Sequence, residues 1–108
     1  MNTEKFMSVV ESTHQSCKRL LLNRGAKYTP NSSGEDRLIQ FKKAGSLSLT
    51  HPICALGGMM SKHTTRLYDM IEETRIGNIP SEKEWHETIH DHINYLYLLK
   101  GLLREEEE

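Results

Sequence analysis

Glu87, Asp91 and Asn94 follow one another at intervals of four and three residues. That spacing lines side chains up along one face of a helix. Two carboxylates one turn apart can hold Mg²⁺, an ion that keeps several waters and prefers one or two carboxylates plus substrate phosphates. Glu87 and Asp91 are therefore the candidate metal ligands and candidate catalytic pair, with Asn94 as an oxygen neighbour or hydrogen-bond donor. A plain exposed polar face explains the same spacing. The run His86-Glu87-Thr88-Ile89-His90 also fits HExxH, in which two histidines one turn apart bind zinc and the glutamate activates water. The downstream GxxH extension is absent, and three fixed positions coincide readily in a chain with six histidines. The zinc reading is set aside.

A second set of candidates lies upstream. Lys62 can meet a phosphate as a point charge, and His63 beside it reads either as a satisfied, partly buried histidine or as a phosphate or base contact. Arg24, Lys27, Tyr28 and Arg37 surround the turn-rich loop AKYTPNSSG, where Ser32, Ser33 and Gly34 are expected to open a helix. A helix N-terminus with basic side chains is an anion site, and Tyr28 can stack on a base; a solvated loop is the alternative. The chain has no Walker glycine loop, Rossmann fingerprint or nucleophile elbow.

Four helices are expected to carry these residues. The first spans about Thr3, as cap, to Arg24, with Gly25 as its stop and Phe6, Val9, Val10, Thr13, Cys17, Leu20 and Leu21 on its buried face. A short helix over Glu35–Ala44 presents Leu38, Phe41 and Ala44 and is closed by Gly45. The third, about His51 to Arg75, has Thr50 as cap and Pro52 in its first turn, with Ile53, Leu56, Met60, Thr64, Leu67 and Ile71 as its stripe. Gly57 and Gly58 inside it cost about 1 kcal/mol each, which points first to close helix packing and second to backbone approach by a ligand. Lys62, Arg66, Asp69 and Glu73 form a charged outer row that reads as a solvated face. The last helix, Ser81 to Leu103, starts at the capping box Ser81/Glu84. Its core-facing stripe is read as Trp85, Ile89, Ile93, Leu96, Leu99 and Leu103, with Glu87, Asp91 and Asn94 on the opposite side. Tyr95, Tyr97, Leu98 and Leu102 make it apolar nearly all round, and the second side is assigned to another subunit.

The fold class is thus all-α, a helical bundle of three long helices and one short one, oligomeric, with residues 1–104 as a single domain and 105–108 as an acidic tail. At 108 residues the chain has one core and gains from oligomerisation. Its formal charge is -1; four of the 15 acidic residues are Glu105–Glu108, which leaves 11 against 14 basic ones. That surplus is too weak to argue for duplex nucleic acid, and a run of like charges is usually disordered. Cys17 and Cys54 are too few for a disulfide scaffold and suit a reduced, cytoplasmic protein. Neither a signal pattern nor a membrane-length apolar run is present.

Taken together, LLLNRGAKYT, DRLIQFKKA, GGMMSKHTTRLYDMI and WHETIHDHINYLYLLKGLL resemble a family of small phage and prophage proteins. These look related to the MazG-like, all-α nucleoside triphosphate pyrophosphohydrolases and to domains associated with nucleotide modification. The resemblance implies a MazG-like oligomer whose acidic side chains bind Mg²⁺ and activate water against a nucleotide's phosphate chain. It falls on Tyr28, Arg37, Phe41, Lys62, His63, Asp69, Glu87, Asp91, Asn94 and Tyr95. The sequence departs from the pattern at Lys27, where an acid is usual, and helix one offers only Glu4 and Glu11 where MazG enzymes carry tandem glutamates.

Three functions follow as expectations. The first is a MazG-related nucleotide-binding protein that hydrolyses the phosphate chain with Mg²⁺: Glu87 and Asp91 hold the metal, Lys27, Arg37 and Lys62 meet phosphates, and His63 or Asn94 orients the substrate, with Tyr28 on the base. The second is a sponge that sequesters a nucleotide signal of host anti-phage defence without turnover, a version favoured by the cationic Lys27. The third is a phage inhibitor acting by protein contact through the acidic tail and the two-sided last helix. The expected partners are a nucleotide-type small molecule and further copies of the chain through that helix, with no membrane.

Overall fold

A computed structural model describes residues 1–28 and 36–107, the side chains of residues 24–28 excepted. Among the described residues there are four α-helices and no strand: α1 (Thr3–Tyr28), α2 (Ile39–Leu47), α3 (Pro52–Arg75) and α4 (Glu82–Glu107). The all-α expectation holds. The chain divides into two compact units, Met1–Arg37 and Leu38–Glu108.

In the first unit α1 begins one residue earlier than its expected cap implies. The Asn2 side-chain oxygen accepts from the Lys5 N–H at 2.8 Å, so Asn2 and not Thr3 caps the helix. The helix also runs through Gly25 to Tyr28; a glycine weakens a helix but ends it only where the chain turns left-handed after it. Of the expected buried face, Cys17 is fully covered and Thr13, Leu20 and Leu21 partly so, whereas Phe6, Val9 and Val10 are exposed. The stripe is continuous in sequence, but only its second half finds packing.

In the second unit α3 stands between α2 and α4. Phe41 of α2, Leu56 of α3 and Leu102 of α4 form the core, with Leu38, Ile53, Met59, Met60, Tyr95, Leu98 and Leu99 packed around them. α3 and α4 run antiparallel: Thr64 meets His92 at 3.0 Å, and two residues further along α3 Arg66 reaches back to Glu84 at 3.8 Å. α2 starts at Ile39 and continues through Gly45, which is buried inside it and does not close it. A Cβ at Gly45 would lie 2.8 Å from the Thr50 carbonyl oxygen and 3.1 Å from the Pro52 nitrogen, so the α2–α3 turn folds back directly onto glycine backbone. Inside that turn Leu49 takes a φ of 53°, a left-handed conformation, and is almost fully exposed.

The cap of α3 is His51 and not Thr50: its Nδ1 accepts from the Ile53 N–H at 3.1 Å, and Pro52 opens the helix where no N–H is needed. Along α3 the buried positions are Leu56 and Met70, and Ile71, expected inside, is half exposed. The inward row therefore steps from Leu67 to Met70, three residues on, where the sequence reading stepped four. Gly57 and Gly58 do not mark close packing among the described residues, where an added Cβ at either meets nothing within 4 Å. Past Gly77 (φ 89°), α4 opens on the expected capping box. The Ser81 Oγ accepts from the Glu84 N–H at 3.2 Å, and the Glu84 carboxylate accepts from the Ser81 N–H at 3.3 Å.

α4 corrects the sequence reading twice. Its inner side is the one bearing Tyr95, Leu98, Leu102 and Asn94, while Ile89, Leu96 and Leu103 of the expected core stripe are exposed. The helix is apolar on both sides, and the side with the less regular spacing faces α2 and α3. The helix also continues through Glu107, because Glu105 pairs with Lys42 of α2 and Glu106 with His51 at the start of α3. The Lys42 ammonium beside the acidic run offsets part of the repulsion that ordinarily frays such a tail, and His51 adds a second contact. No helix among the described residues is long and apolar enough to cross a membrane.

Candidate functional site

The α3–α4 hairpin brings several of the candidate residues together. His63 and Thr64 are consecutive on α3, Asp91 and His92 consecutive on α4, and the antiparallel register sets one pair against the other. The His63 Nδ1 lies 3.9 Å from an Asp91 carboxylate oxygen, and the His63 ring packs on the Tyr95 ring with centroids 4.8 Å apart, tilted by 40°. Both His63 and Asp91 are partly buried. The ring contact with Tyr95 fixes where the imidazole sits.

Asn94, one turn beyond Asp91, is only 3% exposed, and neither its Nδ2 nor its Oδ1 has a hydrogen-bond partner among the described residues. An exposed polar residue was expected here, opposite the core. A buried amide normally satisfies both groups, and one that satisfies neither costs free energy on the order of 1–3 kcal/mol for each group left unpaired. Asn94 therefore holds a donor and an acceptor, covered and side by side, one helical turn beyond Asp91.

The remaining candidates spread out around this cluster. Glu87 projects into solvent, with Lys83 at 4.0 Å, while Asp91 turns inward to His63. Among the described residues no group of three or more His, Cys, Asp and Glu side chains is placed to hold a metal ion. His86 and His90 of the HExxH match have ring centroids 5.8 Å apart, and His86 reaches back to Glu82 at 3.6 Å. Burial pushes the His90 imidazole below its ordinary pKa of 6.5; His86 adds to that and Asp91 opposes it. Lys62 is exposed beside His63. Arg37 belongs to the first unit and donates to the Leu21 carbonyl oxygen at 2.9 Å. The side chains of Lys27 and Tyr28 lie outside the described residues, as do Ser32, Ser33 and Gly34.

Two contributors escaped the sequence reading. Arg66, placed in a solvated row with Asp69 and Glu73, reaches both Glu73 at 3.4 Å and Glu84 on α4 at 3.8 Å. The Thr64–His92 contact pins the hairpin at the level of the cluster. Its signal was the pair of adjacent polar residues on each helix, which becomes legible only once the register of the two helices is known. Comparison with known proteins adds no relative: no family model, no curated protein and no solved structure matches this chain.

Proposed function

We propose that this chain binds a nucleotide or nucleotide-derived small molecule on the α3–α4 hairpin, as a phage-type, MazG-related protein. The observation that carries the reading is the unpartnered amide of Asn94. A primary amide sets an N–H donor beside a carbonyl acceptor in one plane, the arrangement that pairs with the edge of a nucleobase. The His63 and Tyr95 rings beside it supply aromatic surface. Lys62 on the outer side of the same turn would meet a phosphate.

A second reading, Mg²⁺-dependent hydrolysis of the bound phosphate chain, rests on the spacing of Glu87 and Asp91 one turn apart on α4 and requires Asp91 to turn from His63 toward Glu87. Two carboxylates suit Mg²⁺ that arrives on a phosphate chain, since the ion then takes its other ligands from phosphate and water. The metal would polarise the chain and activate water; Glu87 and Asp91 would hold it, and Lys62 would steady the phosphates.

Native mass spectrometry of freshly purified protein, followed by denaturation and analysis of the released fraction, tests both. Wild-type protein is expected to carry or take up a nucleotide, and Asn94→Leu to carry none while remaining folded. Intact nucleotide released from protein kept in Mg²⁺ identifies sequestration. Turnover that Glu87→Ala or EDTA abolishes, with binding retained, identifies hydrolysis. A wild-type protein that co-purifies with no nucleotide and takes up none from a nucleoside mono-, di- and triphosphate panel overturns the proposal.

A further inference from the structure

The HExxH match on α4 lacks the downstream ligand of a catalytic zinc centre, yet its two histidines do meet in the structure. His86 and His90 stand one turn apart on one face of the helix, with ring centroids 5.8 Å apart and ring planes tilted by 47°. Two imidazoles bound to one tetrahedral ion, each nitrogen about 2.0–2.1 Å from the metal, have centroids roughly 5 Å apart. A small turn of one ring closes the difference. Glu82 stands one turn before His86, its Oε1 3.6 Å from the His86 Nε2. Neighbouring ligand atoms on the same tetrahedral ion lie roughly 3.3 Å apart, so this contact already has close to the spacing that a shared cation imposes. Glu82 and His86 are exposed and His90 is partly so, which gives a dissolved ion access to the face.

We propose that Glu82, His86 and His90 bind one Zn²⁺ at the start of α4, with water in the remaining position. In their present rotamers the three side chains do not converge on one point, so binding turns the His90 ring toward Glu82 and exchanges the Glu82–His86 contact for a shared ion. The ligand types choose the metal. Imidazole nitrogens suit a borderline-soft cation, and a tetrahedral arrangement of nitrogen and carboxylate oxygen suits zinc, whereas Mg²⁺ takes oxygen ligands in an octahedron. This site and the Glu87–Asp91 pair therefore select different ions. They also lie on different faces, since Glu87 follows His86 by one residue and is turned about 100° round the helix toward Lys83. An ion held from Glu82, the first residue of α4, to His90 clips the opening two turns of the helix and adds to the capping box at Ser81 and Glu84. The site needs neither Asn94 nor a nucleotide, so this inference and the nucleotide reading fail separately.

Calorimetric titration of Zn²⁺ into the EDTA-treated, desalted full chain at about pH 7.5, where imidazole is neutral, tests the site. One ion per chain is expected, and a large excess of Mg²⁺ should leave the isotherm unchanged. His86→Gln and His90→Gln should each weaken binding on the order of a hundredfold, because chelation by linked ligands is lost with either ring. Glu82→Gln should weaken it less, since both nitrogens remain. Histidine ring signals in two-dimensional NMR locate the ion: those of His86 and His90 should move together at substoichiometric Zn²⁺, while those of His14 and His51 stay. Should His90→Gln fail to fold, the exposed His86→Gln and the ring signals decide. The absence of zinc binding, an affinity that Glu82→Gln or a folded histidine variant leaves unchanged, or ring shifts confined to other histidines overturns the proposal.

Discussion

Asn94 and His90 are the residues whose surroundings run against their chemistry, and each gives a stability test. Asn94 keeps a buried amide with neither atom partnered, so Asn94→Leu, similar in size and apolar, should raise the melting temperature while abolishing nucleotide binding. A gain of about 1–3 kcal/mol in urea unfolding is expected from removing the unpaired groups. A variant less stable than wild type would mean that the amide is already satisfied in solution. His90 has its folded-state pKa lowered by burial and by His86. The unfolded chain therefore binds the additional proton first as pH falls below 6.5. The contribution of His90 is complete above that pH and is lost as pH falls through the lower, folded-state value. The drop in urea midpoint between neutral and mildly acidic buffer should accordingly be smaller in His90→Gln than in wild type, and equal drops would remove His90 from the account.

At the scale of the elements the glycines separate by what lies over them. Gly45→Ala should destabilise by about 1–3 kcal/mol, because its Cβ would collide with backbone of the following turn that cannot swing away. At Gly57 and Gly58 an alanine Cβ meets nothing within 4 Å among the described residues, so Gly57→Ala and Gly58→Ala should each stabilise by about 1 kcal/mol from helix propensity. Thermal unfolding of the three variants checks both signs. Ser81→Ala should cost about 1 kcal/mol by leaving the Glu84 N–H without its cap. The helices and the capping box were legible in the sequence because caps, prolines and periodic apolar residues act locally. Which side of α4 faces inward was not. Residues 85–103 are apolar on two sides, and local spacing ranks the more regular side first, whereas the core took Tyr95, Leu98 and Leu102, which fit against Phe41 and Leu56. The same inversion hid Asn94, read as solvent-facing and found buried. Of the candidate site, the Glu87–Asp91–Asn94 spacing was legible. The convergence of His63, Asp91 and Tyr95 depends on the α3–α4 register, which no local pattern encodes.

Among the described residues the Leu38–Glu108 unit has a small core for the length of its helices: Phe41, Leu56 and Leu102 are its buried centre, and α4 extends along it with a second apolar side exposed. A chain of this size buries a modest fraction of its surface alone, so the self-association through α4 expected from the sequence would, by covering its open side, add directly to stability. Such a contribution follows mass action and grows with protein concentration. The melting temperature of wild type should rise by a few degrees over a hundredfold increase in concentration, while that of Leu96→Glu should stay level across the same range. At the dilute end the two should approach each other, because a half-exposed leucine replaced by glutamate on a monomer's surface removes little packing. A nucleotide bound on the other side of α4 would raise both curves by the same amount at a given free concentration, since the variant leaves the Asn94 face unchanged. If nucleotide instead stabilised wild type more than Leu96→Glu, the two sides of α4 would be coupled, with binding on one favouring pairing on the other.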